Sequence, residues 1–341
     1  MEEIEKRFEI RRETGLIRSV DSLIHKKSQF FYRSFFQWFI IAAIFGFLGK
    51  MVWDNWNQVK GASFTFEVFP LILSTLIFVF SYFIQVWAWY LITLKLKIGI
   101  SPSETMKSWF YSQLGKYLPG KVWLLLSRFY FYESKGKSKK AISIALYFET
   151  VTIIGAACLI FLAALIFHNE KWPIPLWGQS GWLFPLLLLG FVSLHPRVLQ
   201  KILNWVLIPF KREPLVLSIS YSDILWILFV CIISWIVGGV GFYFFVDSVY
   251  PVAPQTILFL TGALAISSTL GLIAIFAPSG LGVREGALVY ILSFMMPTPV
   301  AVIISVLTRI WMTLIEIGLI GVVYLLRKFQ RREKRKEHGE T

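Results

Sequence analysis

Residues 68–94 form an apolar run without a single charged side chain, and runs nearly as apolar recur at 35–53, 141–167, 223–246, 255–276 and 300–326. Crossing a bilayer takes about 20 consecutive apolar residues in a helix. In lipid, a helix also satisfies its own backbone hydrogen bonds. The chain therefore reads as all-α: a polytopic integral membrane helical bundle. Composition agrees, since the 341 residues are 56% hydrophobic and 16% charged, whereas a soluble domain is about half apolar and a quarter charged.

Two stretches interrupt the pattern. Between the runs 255–276 and 287–296 lies Ala277-Pro278-Ser279-Gly280-Leu281-Gly282-Val283-Arg284-Glu285-Gly286. Pro278 with Gly280, Gly282 and Gly286 breaks any continuous helix and frees backbone groups that need partners. Such backbone is tolerated at membrane depth only where protein or a watery cavity surrounds it. Arg284 beside Glu285 in that setting marks a candidate functional site. A short extramembrane loop with a solvated ion pair is the plain alternative.

The second interruption is 100–140. Ser101-Pro102-Ser103-Glu104 is a helix start, with Ser101 or Ser103 as cap. A moderately apolar half and then an apolar one, 122–132, follow, separated by Gly115-Lys116-Tyr117-Leu118-Pro119-Gly120-Lys121 and ending in Lys135, Lys137, Lys139 and Lys140. Neither half is long enough to span. Together they read as a hairpin that enters and leaves on one side, or as an interfacial helix pair.

Three regions result: a basic arm or interfacial helix at 1–34, a transmembrane domain at 35–326, and a basic tail at 327–341. The first is too long and too mixed in charge for a cleavable signal peptide. Within the domain, 168–181 is a Trp/Pro-rich interfacial connection, 182–194 a short span, and 195–220 carries a segment expected along the membrane surface. Positive charge concentrates in the arm, after Tyr132, after Leu194 and in the tail. The positive-inside rule then makes both termini cytoplasmic. On that topology the two broken hairpins enter from opposite faces, one in each half, which points to a transporter built from inverted repeats. No residue-level repeat accompanies it.

The formal net charge of +14 follows the apolar runs rather than forming a basic domain, so anionic lipid is the expected partner and nucleic acid is not. Cys158 and Cys231 sit inside apolar runs, and His25, His168, His195 and His338 lack metal-ligand spacing. No metal, cofactor or catalytic residue is expected from these patterns. Nothing resembles an ATP-binding loop.

With both motifs in view, Gly115-Lys-Tyr-Leu-Pro-Gly-Lys-Val-Trp123 and Ala277-Pro-Ser-Gly-Leu-Gly-Val-Arg-Glu-Gly-Ala287, the chain resembles the transmembrane domain of the lysylphosphatidylglycerol synthase family. The resemblance extends from about residue 35 to 326. It implies a flippase-like protein of a prokaryotic inner or plasma membrane, moving lipid between leaflets. A soluble synthase domain and a glycosyltransferase Asp-x-Asp segment are not seen, so neither activity is carried over. A separate synthase or glycosyltransferase is an expected partner.

For headgroup phosphate the candidates are Lys116, Lys121, Arg128, Arg284 and Arg309. Their cationic donors suit phosphate oxygens. Lys116 and Lys121 flank the Pro119-Gly120 turn, and Arg128 lies two helical turns beyond Lys121. Glu149, Glu285 and Glu316 are expected to tune charge or carry protons, with Arg128 or Lys121 as partners of Glu149. Arg309 and Glu316 share one face of the last span and could meet Arg284 and Glu285 across the interior. Snorkelling cations and a purely structural ion network are the competing readings. The functions weighed are a flippase for an anionic phospholipid, aminoacyl-lipid or polyprenyl-phosphate headgroup, a membrane transferase, and an accessory subunit of a synthase.

Overall fold

The structure, a computed structural model, describes residues 46, 50, 53, 64, 66–117, 122–167, 194–207, 219–274, 277 and 280–337. The expected arm at 1–34, the connection at 168–181 and the hairpin tip at 118–121 lie outside them, as do almost all of the spans at 35–53 and 182–194. Every helix described below belongs to one compact unit, Leu48–Thr341.

Among the described residues all regular elements are helical. They are α1 (Val68–Lys95), α2 (Pro102–Gln113), α3 (Val122–Glu133), α4 (Lys139–Phe167), α5 (Pro196–Leu207), α6 (Tyr221–Val249), α7 (Ile257–Ile273), α8 (Val283–Leu292) and α9 (Thr298–Glu337). Short 3-10 turns, Leu114–Tyr117 and Pro254–Thr256, follow α2 and precede α7. Helices α1, α4, α6, α9 and α7 with its leading turn are long and apolar enough to cross a membrane. The protein is an all-α polytopic integral membrane protein.

Local chemistry sets the helix ends. Ser101, not Ser103, caps α2: its Oγ accepts from Glu104 N at 3.3 Å, and Pro102 opens the first turn. Helix α1 stops where Lys97 takes φ +58°. Ile98 N then donates to Thr93 O and Lys97 N to Leu94 O, the paired bonds that satisfy orphan carbonyls at a left-handed helix end. Helix α3 stops in the same way, with Lys137 N on Tyr132 O and Gly136 N on Glu133 O.

Helix α1 runs antiparallel to α6 as the main helix pair. Ser74 Oγ donates to Gly241 O at 2.8 Å and Ser234 Oγ to Ser81 O at 3.3 Å. Between lipid-embedded helices apolar contact brings no transfer from water, so small residues and such bonds hold the backbones close. Helix α4 packs on α6 and α7 through Ala157, Ile160 and Ala265, with Trp235 Nε1 donating to Ile153 O at 3.1 Å.

The interruption at 100–140 is the first hairpin in chain order, with both feet at one end of the bundle. Glu104, in the first turn of α2, is ion-paired with Lys135, just past α3. That lysine holds the exposed Glu104 carboxyl below its usual range. Helices of 12 residues rise only about 18 Å each, against a hydrocarbon core of about 30 Å. The second hairpin has unequal arms, 17 residues in α7 and 10 in α8. The last helix also departs from expectation: α9 continues to Glu337, so residue 326 ends the apolar stretch but not the helix.

Candidate functional site

The two hairpins converge on one segment of α9. From the first, Lys116 is ion-paired with Glu316 on α9, and Tyr82 Oη from α1 donates to the same carboxylate at 2.8 Å. From the second, Glu285 lies 3.6 Å from Arg309 Nε, and Arg284 Nη2 meets Met312 Sδ at 3.0 Å. Arg284 and Arg309 are near enough for their charge to act on Lys116. Arg309 and Glu316 are two turns apart on one face of α9, so this face docks both hairpins by charge.

Glycine geometry makes the second break possible. Gly280 has φ +68°, and a Cβ there would sit 2.5 Å from Gly271 O. This close approach lets the chain turn back along α7. Gly282, also at positive φ, precedes α8, and its N–H donates to Glu285 Oε2 at 2.7 Å. A carboxylate three residues into a helix that accepts from the backbone before it satisfies an orphan donor. Glu285 is 1% exposed. One of its oxygens is thus a helix cap, while the other faces Arg309. Ser305 Oγ adds a bond to Glu285 O at 3.2 Å.

Glu285 meets Arg309 of α9, as the spacing on the last span allowed. A solvated Arg284–Glu285 pair, the plain alternative, is not formed, because consecutive side chains on a helix diverge by about 100°. One sequence expectation is corrected: Gly286 does not help break the helix but lies inside α8, where an added Cβ would meet nothing within 4 Å. Lys121, Pro119, Gly120 and Pro278 lie outside the described residues.

Arg128 and Glu149 form a separate cluster. Arg128, 1% exposed, is ion-paired with Glu149 and donates to Ser112 Oγ through Nε at 3.1 Å and Nη2 at 3.0 Å. Its guanidinium stacks 4.6 Å from the Trp89 ring centre. Trp109 Nε1 donates to Glu149 Oε1 at 3.2 Å, and Trp89 Nε1 to Tyr132 Oη at 3.1 Å. The box ties α1, α2, α3 and α4 together. A headgroup phosphate would have to displace Glu149 to reach Arg128.

Tyr82, Met312, Ser305, Ser112, Trp89 and Trp109 are site residues that sequence reasoning missed. Each sits in an apolar or neutral helical context that carries no signal of its own. Only the ionisable residues stand out against such a background.

This arrangement defines the class: a polytopic helical membrane protein whose interior charges gather where two broken hairpins meet. The chain belongs to the family described as the lysylphosphatidylglycerol synthase TM region, whose model matches residues 37–321. No curated protein and no solved structure matches it.

Proposed function

We propose that this protein is a flippase that carries an anionic phospholipid headgroup, of phosphatidylglycerol or its aminoacyl ester, across the membrane while the acyl chains stay in lipid. The observation that carries the reading is Arg284. It sits at the break of the second hairpin, half-buried, and the acceptor at hydrogen-bonding distance of its guanidinium is a thioether sulfur. Among the described residues no carboxylate forms an ion pair with it, although Glu285 and Glu316 act on it at longer range. Sulfur is a weak acceptor, whereas a phosphate offers the planar fork a bidentate partner. Lys116 and Arg309 add charge beside it, and membership of a family named for a lipid synthase supports a phospholipid ligand.

In this reading Arg284 takes the phosphate, Lys116 and Arg309 share its charge, and Glu285 and Glu316 are the counter-ions of those two cations within the protein. Arg128 and Glu149 keep the first hairpin in shape. Both termini face the cytoplasm, and a separate synthase supplies the lipid.

Leaflet exchange in proteoliposomes tests this. Purified protein is reconstituted with labelled phosphatidylglycerol, its lysyl ester or a polyprenyl phosphate, beside an Arg284→Ala variant matched for folding. Exchange above empty liposomes that the variant loses is the expected result. Absence of exchange for every lipid, under several ion gradients, rejects transport in favour of a transferase or an accessory subunit.

A further inference from the structure

Three elements share one oxygen atom. Tyr82 of α1 donates to Glu316 Oε1 at 2.8 Å, and the Lys116 ammonium, just past α2, donates to that same Oε1 of α9. Tyr82 and Glu316 are 5% and 6% exposed. Among the described residues, Arg284 of α8 and Arg309 of α9 are near enough for their charge to act on Lys116, and Glu285 and Glu316 act on Arg284.

The Lys116 side chain is 23% exposed, and an ammonium withdrawn that far into protein is costly without a counter-ion. Glu316 supplies it, and a phosphate is the same kind of acceptor. A carboxylate and a phosphate competing for one lysine repel each other, so the incoming anion must push Glu316 away. The carboxylate then loses the Lys116 ammonium as a donor. Tyr82 already donates to the oxygen that Lys116 would leave.

We propose that an anionic headgroup displaces Glu316 from Lys116, and that Tyr82 is the positioning residue that holds the displaced carboxylate. This rests on reading the junction as a headgroup passage. One anion replaces another, so Lys116 is never left unpaired inside the protein. Arg284 and Arg309 favour the phosphate as it arrives. When the headgroup leaves, Glu316 is still aimed at Lys116 and closes the site.

The test is the affinity of the full-length protein in phosphatidylcholine nanodiscs for labelled phosphatidylglycerol, with melting temperatures recorded. Wild type is compared with Glu316→Gln, Glu316→Asp and Tyr82→Phe. Removing the competing charge in Glu316→Gln tightens binding, and removing the hydroxyl in Tyr82→Phe weakens it, each by about tenfold, the effect of one hydrogen bond to a charged group. Glu316→Asp keeps the charge and stays near wild type. General loosening of the junction would weaken all three.

Binding by wild type with both Glu316→Gln and Tyr82→Phe weakened, or with neither changed, overturns the displacement and leaves the passage standing. Tyr82→Phe removes a single hydroxyl, so a wild-type affinity in that variant overturns the proposal even where Glu316→Gln does not fold. A wild-type protein that binds no anionic lipid overturns the passage, and the displacement with it.

Discussion

Arg309 Nε stands 3.6 Å from Glu285 Oε1, joining the last helix to the first turn of α8. The two partners are unequally enclosed, with side-chain exposures of 14% and 1%. Arg309→Met therefore strands a buried carboxylate, and breaking a buried pair in this way costs about 3–5 kcal/mol. Glu285→Gln leaves the less enclosed Arg309 and an amide oxygen that can still accept from Gly282 N. The expected order of melting temperature in detergent is wild type, Glu285→Gln, Arg309→Met, and the double variant should recover above Arg309→Met. A double variant no better than Arg309→Met would mean that the two residues are not coupled.

The Arg128 box makes a different demand. Its guanidinium uses separate nitrogens for Glu149 and Ser112 while stacking on Trp89. An ammonium has neither the fork nor the plane. Arg128→Lys should lower stability by about 2 kcal/mol, the scale of a lost hydrogen bond involving a charged group. Apparent affinity for labelled lipid should stay unchanged in the molecules that remain folded. An affinity loss at intact melting temperature would return Arg128 to the headgroup pathway.

The five spans among the described residues and both hairpins were legible because long apolar runs and their breaks carry the fold in one dimension. Membrane-embedded charges were legible for the same reason: against an apolar background they stand out. Their partners were harder. Arg128 and Glu149 lie 21 positions apart on consecutive helices, and that pairing could be anticipated. Lys116 and Glu316 are 200 apart, and Tyr82 and Glu316 are 234 apart, so only the packing of α1, α2 and α9 brings them together. Arg284 and Glu285, though adjacent, take different partners on α9, because adjacency in sequence separates side chains around a helix.

The glycines of the second hairpin should respond unequally. At Gly280 a left-handed backbone costs an L-residue about 1–2 kcal/mol, and its Cβ would also press on Gly271 O at 2.5 Å. Gly280→Ala should abolish folded protein in detergent or depress its melting temperature sharply. Gly286→Ala meets nothing within 4 Å, and alanine inside a helix gains about 0.5–1 kcal/mol over glycine. Size-exclusion profiles and melting curves of the two variants decide this. Equal damage at both sites would mean that Gly286 has a role beyond sterics.

Helix α5 should lie at the membrane interface. Leu199 is buried against the protein, and Tyr147 Oη ties α5 to α4 by donating to Leu199 O at 3.1 Å. Ile202 and Trp205 are left uncovered, Trp205 at 72% exposure. Trp205 is one helical turn past Lys201, which is itself one turn past Arg197. An amphipathic helix with such an edge of basic and aromatic residues suits the headgroup boundary. A fluorophore on Trp205→Cys, with Cys158 and Cys231 replaced, should be quenched more by spin labels at headgroup depth than by labels deep in the acyl region. Arg197→Gln with Lys201→Gln should reduce the dependence of that quenching on the phosphatidylglycerol content of the vesicle. Quenching by neither label, with emission like that in water, would place this face away from the bilayer.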